Sequence, residues 1–288
     1  MIPSKELDQQ PLVTIGMPIY NEDRFLAHAL ESLLNQDYRN IRILIADNAS
    51  TDGTKEIGLR ATSADERVEY ACADHNIGAA ANFRHVQAMA TGKYFMWAAG
   101  HDEWSENLIS ESVARLESNE SAAIAFATSY WIDETGKRNE RVAGYSDTRG
   151  MDPMARFFTV FWGNMHPVLG VLRLDYLRRT RGMQSFAGAD LVLLSDLVLM
   201  GDFVHVPDAW WNRREIRARE SHRERMQRYT SKEYGQANSW LDRWFPLLRL
   251  PIGLMRVVWG ARISWMERLC LLFGLLPSLP VRYVAGRR

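Results

Sequence analysis

Residues 94–104 read YFMWAAGHDEW, an apolar run that passes directly into a polar, acidic turn. The run 94–99 predicts a buried strand, because a continuous apolar segment of this length is typical of a strand covered on both faces. Asp102 and Glu103 follow at its carboxyl end, where open α/β sheets place ligands and where carboxylates can hold a divalent cation. The alternative is a polar loop whose aspartate caps the next helix, and this short stretch by itself favours that alternative.

Strand patterns and helix patterns alternate on both sides of this stretch. Residues 12–19, 41–46 and 67–72 predict further strands, since they are apolar and end in turn-forming residues. Leucines at helical spacing follow the first of them, at Leu26, Leu30, Leu33 and Leu34. Later segments predict helices at 106–117 and 190–200, strands at 122–128 and 203–206, and a surface loop at 133–152. This order predicts an α/β fold with a mostly parallel sheet.

The charge of the chain is divided unevenly, although the 288 residues carry no net charge. Residues 212–288 hold 16 of the 35 Lys and Arg and 6 of the 35 Asp and Glu, so this part carries +10 and the preceding part −10. An acidic body favours a metal or nucleotide site, and a basic tail favours contact with an anionic surface. We expect that surface to be a membrane and not a nucleic acid.

The cysteine content and the terminal segments bear on the compartment. Cys72 and Cys270 are too few for a disulfide framework or a zinc site. The first ten residues are polar and lack an apolar signal region. The longest uncharged apolar run near the end, 269–281, is too short to span a bilayer. We expect a cytoplasmic protein that is attached peripherally to the inner face of the cell membrane.

Four sequence blocks, taken in order, resemble the family 2 nucleotide-sugar glycosyltransferases. The blocks are PLVTIGMPIYNE (11–22), NQDYRNIRILIADNASTDGT (35–54), HNIGAAANF (75–83) and TGKYFMWAAGHDEW (91–104). The resemblance covers residues 11–120 closely and 121–215 loosely. It implies the GT-A fold, a Rossmann-like sheet flanked by helices. Any one block would be a weak signal, whereas four in the right order form a strong one.

The resemblance implies a binding site for the donor nucleotide. The residues at the matching positions are Pro18, Tyr20, Glu22, Asp47, Asn76, Asn82 and Asp102. Among these, Tyr20 could stack on the base and Asp47 could accept the imide N–H of uracil or thymine, so a UDP- or dTDP-sugar is the favoured donor. The alternative for Asp47 is a carboxylate that only caps its own loop.

The resemblance also implies a divalent cation, Mn²⁺ or Mg²⁺, that bridges the donor diphosphate. Asp102 matches the last acid of the family's DxD motif, with His101 and Glu103 as further candidate ligands. The chain departs from the motif because neither Gly100 nor His101 is an acid. A neutral imidazole suits Mn²⁺ better than Mg²⁺.

The family reaction is a single inverting displacement, in which a carboxylate activates the acceptor hydroxyl. Asp190, at the start of a predicted helix, occupies the position of that base, although Ala189 precedes it where the family usually has Glu. The alternative is an acid that only stabilises the helix N-terminus. Arg213, Arg214 and Trp211 match a segment near the diphosphate or acceptor. The two arginines could equally begin the basic tail, and burial is a common use of tryptophan.

The sequence predicts a catalytic domain at 1–215 and a basic, aromatic helical extension at 216–288. From residue 240 onward the extension carries Trp240, Trp244, Trp259 and Trp265 among arginines, with prolines at 246, 251, 277 and 280 that divide it into short helices. Such pieces fit helices lying in the bilayer interface, which favours a lipid-linked acceptor or a growing surface glycan. The alternative is a helical cap on the catalytic domain.

Two other functions compete with sugar transfer. A nucleotidyltransferase would need a glycine-rich and basic phosphate loop after the first strand, which PIYNE does not provide. A non-catalytic sugar-nucleotide-binding or scaffold protein is favoured by the Gly100-His101 departure from the metal motif.

Overall fold

The computed structural model describes residues 10–142, 147–215 and 248–285. Within them, nine strands are β1 Val13–Ile19, β2 Ile41–Asp47, β3 Val68–Cys72, β4 Tyr94–Trp97, β5 Glu103–Trp104, β6 Ala122–Ile132, β7 Arg138–Val142, β8 Val171–Arg173 and β9 Asp202–Arg214. The described α-helices are α1 Leu26–Leu34, α2 Thr54–Ala64, α3 Ala79–Ala88, α4 Leu108–Ser118, α5 Pro153–Trp162, α6 Leu174–Arg179, α7 Ala189–Met200, α8 Arg249–Gly260 and α9 Trp265–Ala285. A 3₁₀ turn spans His166–Leu169.

All nine strands form one sheet, in the order β3-β2-β1-β4-β8-β6-β9-β5, with β7 paired to β6. Strands β1 to β4 are parallel to one another, and β6 is parallel to β9. The short β8 is antiparallel to both of its neighbours and joins the two parallel groups. This arrangement confirms the predicted α/β class.

Both faces of the sheet are covered, as the apolar strands require. In β4, Tyr94 and Met96 pack into a core with α1 and α4, whereas Phe95 and Trp97 face a second core with α5 and α7. All four side chains are fully buried. Burial of side chains of this size contributes roughly 1.5–3 kcal/mol each. A Cβ at Gly16 of β1 would lie 2.9 Å from the Phe95 ring, so a larger residue there would push β4 away.

The sheet differs from the prediction in two places. Residues 133–152 were expected to form a loop, but they contain β7, which pairs with β6. The predicted late strand at 203–206 is part of β9, which continues to Arg214. A register irregularity after Val206 accommodates the residues before Trp210, and the parallel pairing with β6 then resumes. The local sequence pattern predicts that the strand ends at Val206, but pairing with β6 extends it to Arg214.

The described part of the extension packs on the second core. Leu254 and Val258 of α8, with Leu271 and Leu275 of α9, are buried together with residues of α5 and α7. Pro277 and Pro280 lie inside α9, so the prediction that they divide the chain there is wrong. The tertiary contacts of α9 outweigh the helix-breaking propensity of proline. No helix among the described residues is long and apolar enough to cross a membrane. Trp240, Trp244 and Pro246 lie outside the described residues.

Candidate functional site

The candidate site lies where parallel strands β1, β2 and β4 end side by side. Ile19 at the end of β1 is paired in register with Asp47 at the end of β2, and Gly16 is paired with Trp97 at the end of β4. Tyr20 and Asp102 lie in the loops that follow β1 and β4, and Asp47 is the last residue of β2. The strand pairing alone therefore brings together residues that are far apart in the sequence.

Asp47 holds the loop that follows β2. Its Oδ1 accepts from the backbone N–H and the hydroxyl of Ser50, at 2.8 and 2.6 Å, and its Oδ2 accepts from the Tyr70 hydroxyl at 2.6 Å. Burial and the Asp47 carboxylate raise the pKa of Tyr70 well above its ordinary value, so Tyr70 remains a donor. Asp47 is only 1% exposed. These contacts favour the loop-capping alternative, and base recognition by Asp47 stays a prediction.

An asparagine network joins the loops after β2 and β3. The Asn48 side-chain NH₂ donates to Oδ1 of Asn76 at 2.8 Å, and the side-chain Oδ1 of Asn48 accepts from the Ile77 N–H. Asn82 is buried and donates to the carbonyl of Ala46 at 2.7 Å, which fixes α3 against β2. Asn76 is exposed and accessible to a ligand, whereas the buried Asn82 has a structural role in joining α3 to β2.

The loop after β1 presents an exposed aromatic ring, and its partly buried Glu22 carboxylate contacts the partly buried His101 ring. Tyr20 is 45% exposed, and Pro18 is partly buried below it. The Glu22 carboxylate lies 2.9 Å from Nδ1 of His101. A Cβ at Gly100 would lie 3.0 Å from Cγ of Glu22, so Glu22 occupies the space that an acidic side chain at position 100 would need. An acidic side chain at position 100 would therefore require Glu22 and Ile19 to shift slightly.

Asp102 is buried between the loop after β4 and the end of β9. Its Oδ2 accepts from the Trp211 indole N–H and its Oδ1 from the backbone N–H of Arg214, each at 2.9 Å. Burial raises the pKa of Asp102, while the neighbouring charges of His101 and Arg213 act against this shift, as do the two hydrogen bonds. Trp211 is 4% exposed, which agrees with the burial alternative for this residue.

Arg214 connects the acidic loop to neighbouring chain segments. Its guanidinium contacts the Glu103 carboxylate and donates to the carbonyls of His101 and Asp133. At 6% exposure Arg214 belongs to the framework of the site and does not begin a solvated tail. The pairing of β5 with β9 places Glu103 opposite Asn212, which explains this proximity.

Asp190 and Arg213 are the residues predicted to serve the acceptor and the diphosphate. Asp190 is the second residue of α7 and follows Gly188, whose φ of 86° is in the left-handed region that favours glycine. Burial raises the pKa of Asp190, and the Leu191 N–H and the charges of Arg282 and Arg213 act in the opposite direction. Arg213 lies over the Trp131 ring, with its guanidinium carbon 4.4 Å from the ring centroid. It influences the carboxyl groups of both Asp102 and Asp190.

The described residues do not form a resident metal centre. Among them, no three His, Cys, Asp or Glu side chains lie together as such a site requires. Glu103 is engaged by Arg214 and Asn212, and His101 by Glu22. Asp102 is an oxygen ligand of the right type, and an ionised carboxylate has about four lone-pair positions, of which hydrogen bonds use two here. Asp102 therefore fits a cation that a diphosphate ligand would largely coordinate, as is common for Mg²⁺.

Three residues near the site carry no local signal that would identify them. His166, in the 3₁₀ turn, contacts the Ser129 hydroxyl, and its ring centroid lies 5.4 Å from that of Trp211. Arg282 comes from α9, and Tyr70 belongs to β3. Each reaches the site through tertiary packing, so a lone histidine, arginine or tyrosine in the sequence could not have been selected.

Comparison with known proteins places the chain among glycosyltransferases. A sequence profile for the family described as Glycosyl transferase family 2 matches residues 14–169. The chain is 32% identical over 137 residues to the putative glycosyltransferase EpsE of Bacillus subtilis, which covers 47% of this chain and 49% of that protein. It is 30% identical over 124 residues to the putative colanic acid biosynthesis glycosyl transferase WcaA of Escherichia coli, at 43% and 44% coverage. The chain spans about half the length of these curated relatives.

Solved structures share the fold at low sequence identity. S. aureus TarS 1–349 in complex with UDP-GlcNAc superposes with a TM-score of 0.69 at 13% identity, over 92% of this chain and 71% of that chain. The mannosyltransferase PcManGT from Pyrobaculum calidifontis, in complex with GDP-Man and Mn²⁺, gives 0.56 at 17% identity, over 96% and 84%. At these identities the likeness concerns the fold alone, and it confirms the predicted GT-A architecture.

Proposed function

Because the chain belongs to glycosyl transferase family 2, we propose that it transfers a sugar from a nucleotide-sugar donor to an acceptor hydroxyl, with inversion at the anomeric carbon. The observation that carries this proposal is the register of β1, β2 and β4, which brings the loops of Tyr20 and Asp102 beside Asp47 at one edge of the sheet. Open α/β sheets bind ligands at the carboxyl ends of their strands. The positive charge of Arg213 lowers the pKa of both Asp102 and Asp190, and such a charge suits a reaction in which a diphosphate departs.

The donor would bind across the loops that follow β1, β2 and β4. Exposed Tyr20 offers a face for stacking on the base, and exposed Asn76 offers polar contacts beside it. A UDP- or dTDP-sugar remains the favoured donor. TarS in the structure compared above holds UDP-GlcNAc and PcManGT holds GDP-Man, so the fold accommodates both uracil and guanine nucleotides.

Asp190 would serve as the general base for the acceptor hydroxyl. A base works best when its pKa lies near the working pH, and burial raises the pKa of Asp190 in that direction. The ionised form would accept the hydroxyl proton while the oxygen attacks the anomeric carbon. The bond from that carbon to the diphosphate oxygen would break in the same step, so no covalent enzyme intermediate is required.

A divalent cation, Mn²⁺ or Mg²⁺, would assist through Asp102. When bound, such a cation supplies Lewis-acid stabilisation of the charge on the leaving diphosphate, worth several kcal/mol. Arg213 would supply a second positive charge from the protein itself. Arg214 and Trp211 would keep Asp102 in place, since both donate to its carboxylate.

The acceptor we propose is a lipid-linked or surface glycan, and the enzyme would associate peripherally with the membrane through its extension. The name of WcaA refers to colanic acid biosynthesis, and that of a further relative, TuaG of Bacillus subtilis, to teichuronic acid biosynthesis. Both names concern polysaccharides. The described helices α8 and α9 also expose several large apolar side chains, which suits an interfacial position.

A screen of nucleoside diphosphates and sugar nucleotides by thermal shift, with and without Mn²⁺, tests this proposal. Binding to the native state stabilises the protein and so raises its melting temperature. A free ligand concentration of one hundred times Kd adds about 2.7 kcal/mol to the free energy of unfolding. A shift with a sugar nucleotide, followed by its turnover on an acceptor, supports sugar transfer. Binding without any hydrolysis or transfer supports the non-catalytic alternative. No shift with any nucleotide contradicts both.

A further inference from the structure

A large open cleft lies between α7 and α8, on the side of the molecule formed partly by the extension. Its volume is about 890 Å³. Six arginines line it, namely Arg156, Arg179, Arg181, Arg249, Arg256 and Arg262, and the one acid among the described lining residues is Asp196. The described lining includes none of the predicted donor-site residues. The cleft is therefore distinct from the predicted donor site, and its chemistry is that of an anion-binding surface.

Part of this positive charge is balanced within the protein. Arg156 pairs with Asp202 at 3.2 Å, and Arg179 pairs with Asp175 at 3.0 Å. Arg181, Arg256 and Arg262 face a single carboxylate among the described lining residues, that of Asp196, so the described lining keeps an excess of positive charge. Guanidinium groups bind phosphate oxygens in a bidentate manner and lose little entropy in doing so. A phosphate-bearing ligand is the chemical class that fits this lining.

The wall between the arginines is apolar. Phe186, Val192, Leu193, Ile252 and Val257 belong to it. A small soluble phosphate would gain nothing from these side chains. A ligand with both a phosphate and an apolar part would use the whole cleft, since burial of apolar surface adds to the charge contacts.

Exposed tryptophans continue the apolar surface from one end of the cleft. Trp259 lies next to the lining residue Gly260 and is 61% exposed, and Trp265 is 58% exposed. Their ring centroids are 5.8 Å apart, and Arg268 lies over both rings. Tryptophan and arginine side by side are typical of a surface at the level of lipid headgroups.

We propose that the arginine-lined cleft between α7 and α8 binds the phosphate group of an anionic phospholipid, with Trp259 and Trp265 inserted at the bilayer interface. This inference rests on the proposed membrane association and deepens it, because it assigns lipid binding to one defined cleft. A generally basic surface would bind lipid at no particular place. It is independent of the donor site, which lies on other residues.

Gly260 offers a matched pair of variants for the test. It lines the cleft, and no atom lies within 4 Å of a Cβ built on it, so a side chain can be added without collision. Gly260→Glu places a negative charge in the cleft, and Gly260→Gln places a neutral side chain of the same size there. The full-length proteins would be floated with vesicles of phosphatidylcholine alone and of phosphatidylcholine mixed with phosphatidylglycerol.

The wild type should bind the anionic vesicles and not the neutral ones. Gly260→Glu should weaken vesicle partitioning roughly fivefold, the factor that corresponds to about one charge at an anionic surface. Gly260→Gln should partition like the wild type. The pair Arg256→Gln with Arg262→Gln should weaken binding further, whereas Lys55→Gln with Arg60→Gln, which removes two exposed charges from α2, should not.

The outcomes separate this inference from the broader proposals. If the wild type ignores anionic vesicles, membrane association as a whole is contradicted. If the wild type binds and all variants bind equally, only the cleft assignment is overturned. If glycerol 1-phosphate raises the melting temperature of the wild type but the protein does not bind vesicles, the ligand of the cleft is a soluble phosphate. That result would overturn the assignment to a phospholipid. UDP binding by the Gly260 variants should remain at the wild-type level in every case.

Discussion

The indole N–H of Trp211 lies 2.9 Å from Oδ2 of Asp102, and both side chains are almost completely buried. This contact joins the late strand β9 to the loop after β4 across 109 positions of sequence. The contact supplies a hydrogen-bond donor to the buried Asp102 carboxylate, and this offsets part of the free-energy cost of burying it. A residue of β9 thus holds in place the carboxylate of the predicted donor side.

Replacement of Trp211 by phenylalanine should destabilise the protein beyond the loss of aromatic area. The change leaves one buried oxygen of Asp102 without its donor, which costs roughly 1–3 kcal/mol. Trp104→Phe is the matched control, because Trp104 is also buried but its indole nitrogen has no hydrogen-bond partner among the described residues. Urea unfolding should show the larger loss for Trp211→Phe. Equal losses would mean that the hydrogen bond contributes nothing.

Asp190→Asn should lower turnover by about 10²–10⁴, as expected for the loss of a general base, while the affinity for the donor stays near normal. Asn has a similar shape but cannot accept the hydroxyl proton. Single-turnover transfer and calorimetric titration with UDP measure the two quantities. Asp208→Asn, at an exposed carboxylate, serves as the control. An unchanged rate in Asp190→Asn would move the base to another residue.

Arg282 should influence the pH dependence of the same reaction. Its charge lowers the pKa of Asp190, so its removal should allow that pKa to rise further. Because the base acts in its ionised form, the acidic limb of kcat/KM should move to higher pH in Arg282→Gln. Arg282→Lys keeps the charge and should keep the limb in place. An identical profile in all three proteins would show that α9 has no electrostatic effect on the base.

The fold was predictable because each strand near the site carries its own apolar signal. Residues 94–97 are continuously apolar and form the fully buried β4. The three-residue β8 carries no comparable signal, since a strand of that length has no periodicity to detect. Its antiparallel position between β4 and β6 depends on pairing across the whole domain.

The positions of the candidate-site residues in the fold were predictable, whereas their contacts were not. The sequence placed Asp47 and Asp102 at strand ends, and both lie there. Their partners Tyr70, Trp211 and Arg214 come from other strands, and no local pattern encodes such pairs. The partners matter functionally, since they explain why the two carboxylates are buried.

Asp47 should still make the protein prefer UDP over CDP if a lone pair remains available to the base. Uracil presents an imide N–H and cytosine does not, so UDP binding would gain about 1 kcal/mol, the net contribution of one additional hydrogen bond. Calorimetry with the two nucleotides measures the difference directly. Tyr70→Phe removes one of the three donors to Asp47 and should leave or increase this preference. Equal affinities would restrict Asp47 to its role in the loop.

Chelation should separate the role of Asp102 from that of Glu103. If Asp102 shares a cation with the diphosphate, Mn²⁺ should strengthen UDP binding in the wild type, and EDTA should abolish the gain. Asp102→Asn should lose most of the gain, since the amide is a weaker cation ligand than a carboxylate. Glu103→Gln should retain it, because Arg214 already engages that carboxylate. The reverse pattern would assign the cation to Glu103.

Asp196, the acid of the arginine-lined cleft, should make stability depend on pH. Burial raises its pKa to about 6, with Arg181 acting against the shift. The folded state therefore binds this proton more tightly than the unfolded chain, in which a carboxyl titrates near pH ~3.9. Stability is favoured while the group is protonated and is lost as the pH rises from about 4 to about 6.

Asp196→Asn removes the buried charge and should raise the melting temperature at pH 7 relative to the wild type. The gain should be about 1–2 kcal/mol after allowance for partial solvent exposure, and it should become small near pH ~4, where the wild-type group is protonated in the folded state and about half protonated in the unfolded chain. Asp208→Asn, at an exposed position on β9, is the control and should show no such gain. Thermal melts of the three proteins between about pH 4 and pH 8 measure the effect. A difference that stays constant over this range would show that ionisation of Asp196 does not limit the stability of the cleft.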